Sequence, residues 1–297
     1  MSAASEVTFE PPLRFWRDYY ELTKPRINLF CLLMTLGGLA LASQSVSWLT
    51  VLATLIGTAF SVGSANTLNM YWERDSDKLM KRTALRPLAM GRISSSGALV
   101  FGLVLGVLSV AILAQWVNTL TAALSLFALL SYVLVYTPLK RVTPHALLIG
   151  AVPGAMPPLL GWTAATNEIS LPGLVLFAIL LIWQIPHFIA ISVTHQHDYK
   201  NAGIKTWPGE RGLRPATLQA VIYAVVLIPV SLLLCQAGVA GYLYGVTACA
   251  LGVWMVWMSA RGFHPEKHPN WPRKLFLVSL VYLPVLTIGL AVDVLLK

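Results

Sequence analysis

The chain has 297 residues, of which 57% are hydrophobic and only 11% charged, with a net charge of +9 at pH 7. A soluble domain carries about 25% charged residues, so the composition excludes an ordinary water-soluble globular protein, and nothing in it points to a nucleic-acid partner. The three cysteines, Cys31, Cys235 and Cys249, lie in apolar stretches without a CxxC pair, and they read as buried thiols rather than a disulfide framework or a metal site.

Residues 1–26 contain Glu6, Glu10, Asp18 and Glu21 and no apolar core of a signal peptide. Phe15, Trp16, Tyr19 and Leu22 predict a short amphipathic helix at the membrane interface, a plain lead-in segment being the other reading. Nine apolar stretches follow, at residues 27–45, 48–72, 96–115, 117–136, 146–164, 171–194, 216–237, 241–260 and 275–296. Each comes close to the roughly 20 residues needed to cross the hydrocarbon of a bilayer. Helices are expected, because lipid-exposed backbone must satisfy its own hydrogen bonds, and no short alternating segments suggest a barrel. The expected fold is an all-α membrane protein, a bundle of about nine transmembrane helices forming one domain (27–297) behind the N-terminal segment 1–26.

Of the 21 Lys and Arg, 20 fall in the N-terminal segment and in the loops after the even-numbered stretches (73–95, 137–145, 195–215 and 261–274); the other is Lys297. The positive-inside rule places those loops and the N-terminus in the cytoplasm, as in a bacterial-type inner membrane, with the C-terminus on the periplasmic side. The odd loops are short, and Trp48, Trp116 and Trp162 near them suggest an outer aromatic belt. Topology explains the cations. It does not explain why ten of the twelve acids share their side, since acids contribute little to orientation.

Asn69, Glu73 and Asp77 recur every four residues at the end of the second stretch. On a helix they fall within roughly 80° of one face. An amide oxygen and two carboxylates form an all-oxygen set suited to a hard cation such as Mg²⁺. Asn66 lies one turn earlier, and Asp75 points away. Lys78, Lys81, Arg82 and Arg86 follow. Two readings remain open: a plain ion-pair network, or a metal–diphosphate site in which forked Arg donors hold phosphate.

The fourth stretch ends in Tyr136-Thr-Pro-Leu-Lys140-Arg141, and the sixth in Trp183-Gln-Ile-Pro-His187-Phe188, continuing through His195-Gln-His197-Asp198-Tyr199-Lys200. Pro186 predicts a kink whose freed backbone lines a cavity. His187 is either a functional intramembrane residue or a satisfied structural one. His195 and His197 lack the further ligands of a tetrahedral zinc site.

These segments resemble the UbiA-type intramembrane prenyltransferase superfamily. The resemblance rests on Asn69-x-x-x-Glu73-x-x-x-Asp77 with the following Lys-Arg-Thr and Arg-Pro-Leu, on Tyr136-Thr-Pro-Leu-Lys-Arg, and on Leu22-Thr-Lys-Pro-Arg. Within it, Trp183-Gln-Ile-Pro-His-Phe, Asp198-Tyr-Lys-Asn-Ala-Gly-Ile, and Met80-Lys-Arg-Thr with Arg86-Pro are similar to the heme O synthase (protoheme IX farnesyltransferase) branch. The superfamily usually has Asp where this chain has Glu73. Its second pair of aspartates, four apart, aligns with His195 and Tyr199; the heme branch is similar to this chain in having Asp-Tyr there instead, and that resemblance implies that Asp198 takes part of the role. Thr206-Trp-Pro also departs from the branch.

The resemblance implies farnesyl transfer from farnesyl diphosphate to a vinyl group of heme B, in a central cavity opening to the cytoplasmic face. It implies Mg²⁺ held by Asn69, Glu73, Asp77 and Asp198, and diphosphate held by Lys81, Arg82, Arg86, Lys140 and Lys200. It further implies aromatic shielding of an allylic cation by Tyr136, Trp183 and Phe188, pairing of the heme propionates with Arg26 or another basic residue, approach of His187 to the iron, and substrate contacts from Arg141 and Tyr199. A heme A synthase or a heme–copper terminal oxidase assembly is the protein partner such chemistry would adjoin. A prenyltransferase with another acceptor, such as a quinone precursor, and a transporter of an anionic amphiphile are the alternatives. A phosphatidyl-alcohol transferase would need an Asp-rich motif that is absent.

Overall fold

The computed structural model describes residues 12–42 and 45–295, and among them every regular element is helical. In chain order these are α1 (Pro12–Leu22), α2 (Pro25–Leu41), α3 (Trp48–Asp77), α4 (Ser95–Trp116), α5 (Thr119–Leu139), α6 (Ala146–Thr166), α7 (Leu171–Thr194), α8 (Gln196–Asn201), α9 (Trp207–Arg211), α10 (Leu213–Gln236), α11 (Tyr242–Phe263) and α12 (Trp271–Leu295). Eight of the described helices, α3 to α7 and α10 to α12, are long and apolar enough to cross a membrane. The ninth expected span is α2, which is apolar but has only 17 residues. At 1.5 Å per residue that is about 26 Å. Glu6 and Glu10 lie outside the described residues, as does Lys297.

Lipid gives helices little reason to associate, so close packing must come from small residues and buried hydroxyls. Gly38 of α2 lies against the backbone carbonyl of Pro158, and Gly161 of α6 lies against that of Thr35, so neither has room for a side chain. Ser64 and Ser109 tie α3 to α4 through 2.7 Å hydrogen bonds to the carbonyls of Gly102 and Gly57. Large apolar side chains such as Val107, Val253 and Ile288 remain exposed on the outer surface, as expected where the solvent is hydrocarbon.

Several expectations are corrected. Trp48 and Trp116 are exposed near helix ends, but Trp162 is buried and donates its indole N–H to Ser170 Oγ at 2.8 Å. Its apolar body packs inward because Gly173 leaves space beside the ring. Regular helix is interrupted at Ala155 in α6, between Pro153 and the Pro157-Pro158 pair. A π-helical stretch, Ser131–Tyr136, interrupts α5. The three cysteines are partly rather than fully buried. The second span continues a turn beyond Trp72, to Asp77, so Glu73 and Asp77 are helical residues.

Contacts between loops far apart in sequence assemble one basic end. Arg92 pairs with Asp18 of α1, Arg82 reaches Tyr199, and the Lys205 N–H donates to the Lys140 carbonyl at 2.8 Å. A small apolar cavity of about 60 Å³ lies between α2, α6, α7, α10, α11 and α12. Its lining includes Gly37 and Leu41 late in α2, Leu176 early in α7 and Leu290 late in α12. It therefore occupies the half of the bundle away from the basic end.

Candidate active site

The last turns of α3 carry the acids inward. Asn69, Glu73 and Asp77 are all buried, and the intervening Trp72 and Asp75 are exposed, as the four-residue repeat requires. Asp75 pairs instead with Lys78 and Arg74. Asn69 Nδ2 donates to Thr137 Oγ1 at 3.1 Å, and Thr137 donates to the Tyr132 carbonyl at 2.9 Å. The π-helical stretch thus supplies the carbonyl that orients Thr137, which in turn leaves the Asn69 amide oxygen as that group's remaining acceptor.

Each carboxylate is met by a cation. Lys140 Nζ donates to Glu73 Oε1 at 2.6 Å, and Arg86 Nη1 donates to Asp77 Oδ2 at 2.7 Å. Lys140 also lies 4.5 Å from the Tyr136 ring centroid, close enough for a cation–π contact. The second Asp77 oxygen, Oδ1, is buried and has no hydrogen-bond partner among the described residues. An unpaired anionic oxygen in such a place is costly unless a cation meets it. With the Asn69 amide oxygen and the Glu73 carboxylate it makes an oxygen donor set that fits Mg²⁺.

In the sequence Lys24 stood out only as a charge and as part of the Leu22-Thr-Lys-Pro-Arg segment, with no role in the site. It sits between α1 and α2 with φ of 48°, in the left-handed region. A residue with a Cβ pays about 1 kcal/mol for that conformation, and such outliers gather at functional sites. Its amine is pushed down to about 7, by burial first and then by Arg86; Lys140 adds to the fall, while Glu73 and Asp77 oppose it. The amine therefore shares the field of the acid–base cluster. Asn66 holds the turn from below, donating to the Thr23 carbonyl at 3.4 Å.

The remaining expected residues are dispersed. Arg82 Nη2 approaches Tyr199 Oη at 3.5 Å on the exposed rim. Arg26, Lys81, Arg141 and Lys200 are exposed and make no side-chain ion pair or hydrogen bond among the described residues. Asp198 does not join the other acids. Its carboxylate lies 4.0 Å from His195 on its own short helix, and no three of Asp, Glu, His and Cys among the described residues are grouped to hold a metal ion. Trp183, His187 and Phe188 form a separate aromatic group with Phe276 and Phe30. Phe30 is six residues into α2 from Lys24, so this group is about 9 Å deeper than the charged cluster along that helix.

The chain matches the UbiA prenyltransferase family over residues 31–281. It is similar to the protoheme IX farnesyltransferase of Myxococcus xanthus (strain DK1622), with 47% identity over 276 residues that cover 93% of this chain and 94% of that protein. It is also similar to the protein of the same name from Anaeromyxobacter sp. (strain Fw109-5), with 42% identity over 94% of each chain. Among solved structures, a digeranylgeranylglyceryl phosphate synthase superposes with a TM-score of 0.78 at 18% identity, covering 95% of this chain and 99% of that one. A UbiA homolog from Archaeoglobus fulgidus bound to DMAPP and Mg²⁺ does so with a TM-score of 0.64 at 18% identity, covering 93% and 99%. At such identities the structures share the fold. The family match and the relatives, which span nearly the whole chain, identify it as a member of the UbiA prenyltransferase family.

Proposed function

We propose that the chain transfers a farnesyl group from farnesyl diphosphate to a vinyl group of heme B, giving heme O and diphosphate. The observation that carries this reading is the buried file Asn69–Glu73–Asp77 facing Lys140 and Arg86. It is supported by the protoheme IX farnesyltransferases that resemble the chain and by the prenyl diphosphate and Mg²⁺ bound to the A. fulgidus homolog.

Ionising an allylic C–O bond requires the leaving oxygens to be stabilised as charge builds on them. Asn69, Glu73 and Asp77 would hold Mg²⁺, which supplies Lewis-acid stabilisation of the leaving diphosphate. Asp198 stands apart from these ligands. Lys140, Arg86 and Lys24 supply positive charge at the same place, and Arg82 with Tyr199 closes the rim. The Tyr136 face lies beside Lys140, where it can shield an allylic cation. Trp183 and Phe30, about 9 Å deeper along α2, offer aromatic faces to the isoprenoid, and the apolar cavity beyond them suits its end. Carbon–carbon bond formation leaves positive charge on the carbon attached to the porphyrin, and addition of water there, with loss of one of its protons to the released diphosphate, gives the hydroxyl and completes the balance.

The basic end and the N-terminus face the cytoplasm of a bacterial inner membrane, by the distribution of Lys and Arg. Purified protein incubated with heme B, farnesyl diphosphate and Mg²⁺ is expected to yield heme O, detected by mass. Asp77→Ala is expected to abolish it. Full activity in that variant would remove the acid file from the mechanism.

A further inference from the structure

Ser279 of α12 fixes two rings of α7 at once. Its carbonyl accepts the Trp183 indole N–H at 3.0 Å, and its Oγ lies 2.7 Å from His187 Nδ1. The same Oγ donates its single proton to the Phe276 carbonyl at 2.6 Å, since a carbonyl can only accept. Ser279 Oγ is therefore the acceptor toward His187, and the imidazole proton must sit on Nδ1. That leaves the lone pair on Nε2, which makes no hydrogen bond among the described residues.

The ring is also held in plane. Trp183 stacks on one side at 4.9 Å, Phe276 lies at 5.0 Å and 31°, and Phe188 meets its edge at 5.4 Å. An imidazole with a fixed tautomer, a fixed plane and a lone pair that no described residue takes up has the form of a metal ligand, whose orientation is set by the bond at its other nitrogen. Resting on the reading that heme B is the acceptor, we infer that His187 ligates the substrate's iron through Nε2 and that Ser279 is the residue that positions it. Ligation would hold the porphyrin against the aromatic group of α7 and fix which vinyl carbon meets the isoprenoid.

The test is heme B binding to the full-length protein in nanodiscs, without farnesyl diphosphate, followed by visible absorption and electron paramagnetic resonance. The wild type is expected to show a histidine-ligated iron. His187→Ala is expected to lose that signature and to regain a nitrogen-ligated spectrum on addition of imidazole. Ser279→Ala keeps the imidazole but not its orienting partner, and is expected to bind heme about tenfold or more weakly. Retained affinity for inorganic diphosphate reports that the variants are folded. A His187→Ala protein with a wild-type heme spectrum would overturn the inference, whether or not it still makes product. If the wild type makes no heme O at all, it is the proposed function that fails, and the mass of the product distinguishes that case.

Discussion

Lys140 donates to Glu73 across 2.6 Å, and this contact joins the last turns of α3 to the end of α5, 67 residues away in sequence. Both side chains are largely buried, at 14% and 11% exposed. Under the proposed function, the pair would hold a positive charge where the leaving diphosphate needs one.

Replacing Lys140 by Met separates these roles. Glu73 is left without a partner, and breaking a buried pair from one side costs about 3–5 kcal/mol, so the variant is expected to unfold at a lower temperature in detergent. Loss of a charge-assisted hydrogen bond, about 1.5–3 kcal/mol, is expected to weaken inorganic diphosphate binding by at least about tenfold. Calorimetric titration measures the second effect independently of turnover. Unchanged diphosphate affinity would take Lys140 out of the anion site.

The acid file was legible because an i, i+4 repeat states which side chains share a helical face, and helical phase survives in the chain without tertiary information. Burial of Asn69, Glu73 and Asp77 follows from that phase. Which cation meets which acid was not legible, because Glu73–Lys140 and Asp77–Arg86 depend on how α3 lies against α5 and the following loop. Trp162 shows the same limit: hydropathy gives depth along the membrane normal but not the direction of a side chain. Thr137 was hidden because no propensity marks the π-helical stretch that places its acceptor. Lys24 was read as a topology charge within the Leu22-Thr-Lys-Pro-Arg segment and given no role in the site, although Pro25 already fixed the start of α2 beside it. Asp198 was assigned from the resemblance of Asp198-Tyr199 to the heme branch, and its carboxylate lies near His195.

Asp18 of α1 is 4% exposed and receives Arg92 Nε on both oxygens, at 3.0 and 3.1 Å; the same guanidinium donates to the Leu85 carbonyl. The interfacial helix thus clasps the loop that carries Arg82 and Arg86. Asp18→Asn keeps the shape and removes the charge. It is expected to cost about 1.5–3 kcal/mol, to speed proteolysis after Lys81 or Arg82, and to raise KM for the prenyl diphosphate more than it lowers kcat. A variant with a wild-type proteolysis pattern would show that the clasp does not hold the loop.

Gly161 and Gly37 give a matched pair of tests for the α2–α6 contact. A Cβ at Gly161 meets the Thr35 carbonyl, which is backbone and cannot yield, whereas a Cβ at Gly37 meets nothing within 4 Å. Gly161→Ala is expected to destabilise the bundle by about 1–3 kcal/mol, as overpacking does. Gly37→Ala is expected to be neutral or slightly stabilising, because a helical alanine is favoured over glycine by about 1 kcal/mol. Thermal unfolding of the two variants in the same detergent decides the point, and equal midpoints would mean that α2 and α6 do not touch there.

Lys24 makes anion binding depend on pH in a direction that its surroundings fix. Its amine is pushed down from the usual lysine value to about 7 by burial and by the neighbouring Arg86 and Lys140, against the opposing pull of Glu73 and Asp77. Below that pH the side chain is already charged and its contribution to diphosphate binding is constant. Above it the free protein holds a neutral amine, and a bound diphosphate, which favours the ammonium, must draw in a proton. Affinity therefore falls with rising pH, by at most about tenfold per unit. Diphosphate itself titrates over the same range, so the comparison is with Lys24→Arg, whose guanidinium stays charged. The ratio of the two dissociation constants is expected to be flat up to about pH 7 and then to move in favour of Arg toward about pH 9. Calorimetry in two buffers of different ionisation enthalpy is expected to show extra proton uptake in the wild type alone. A ratio that does not change across this range would mean that Lys24 is charged before the anion arrives.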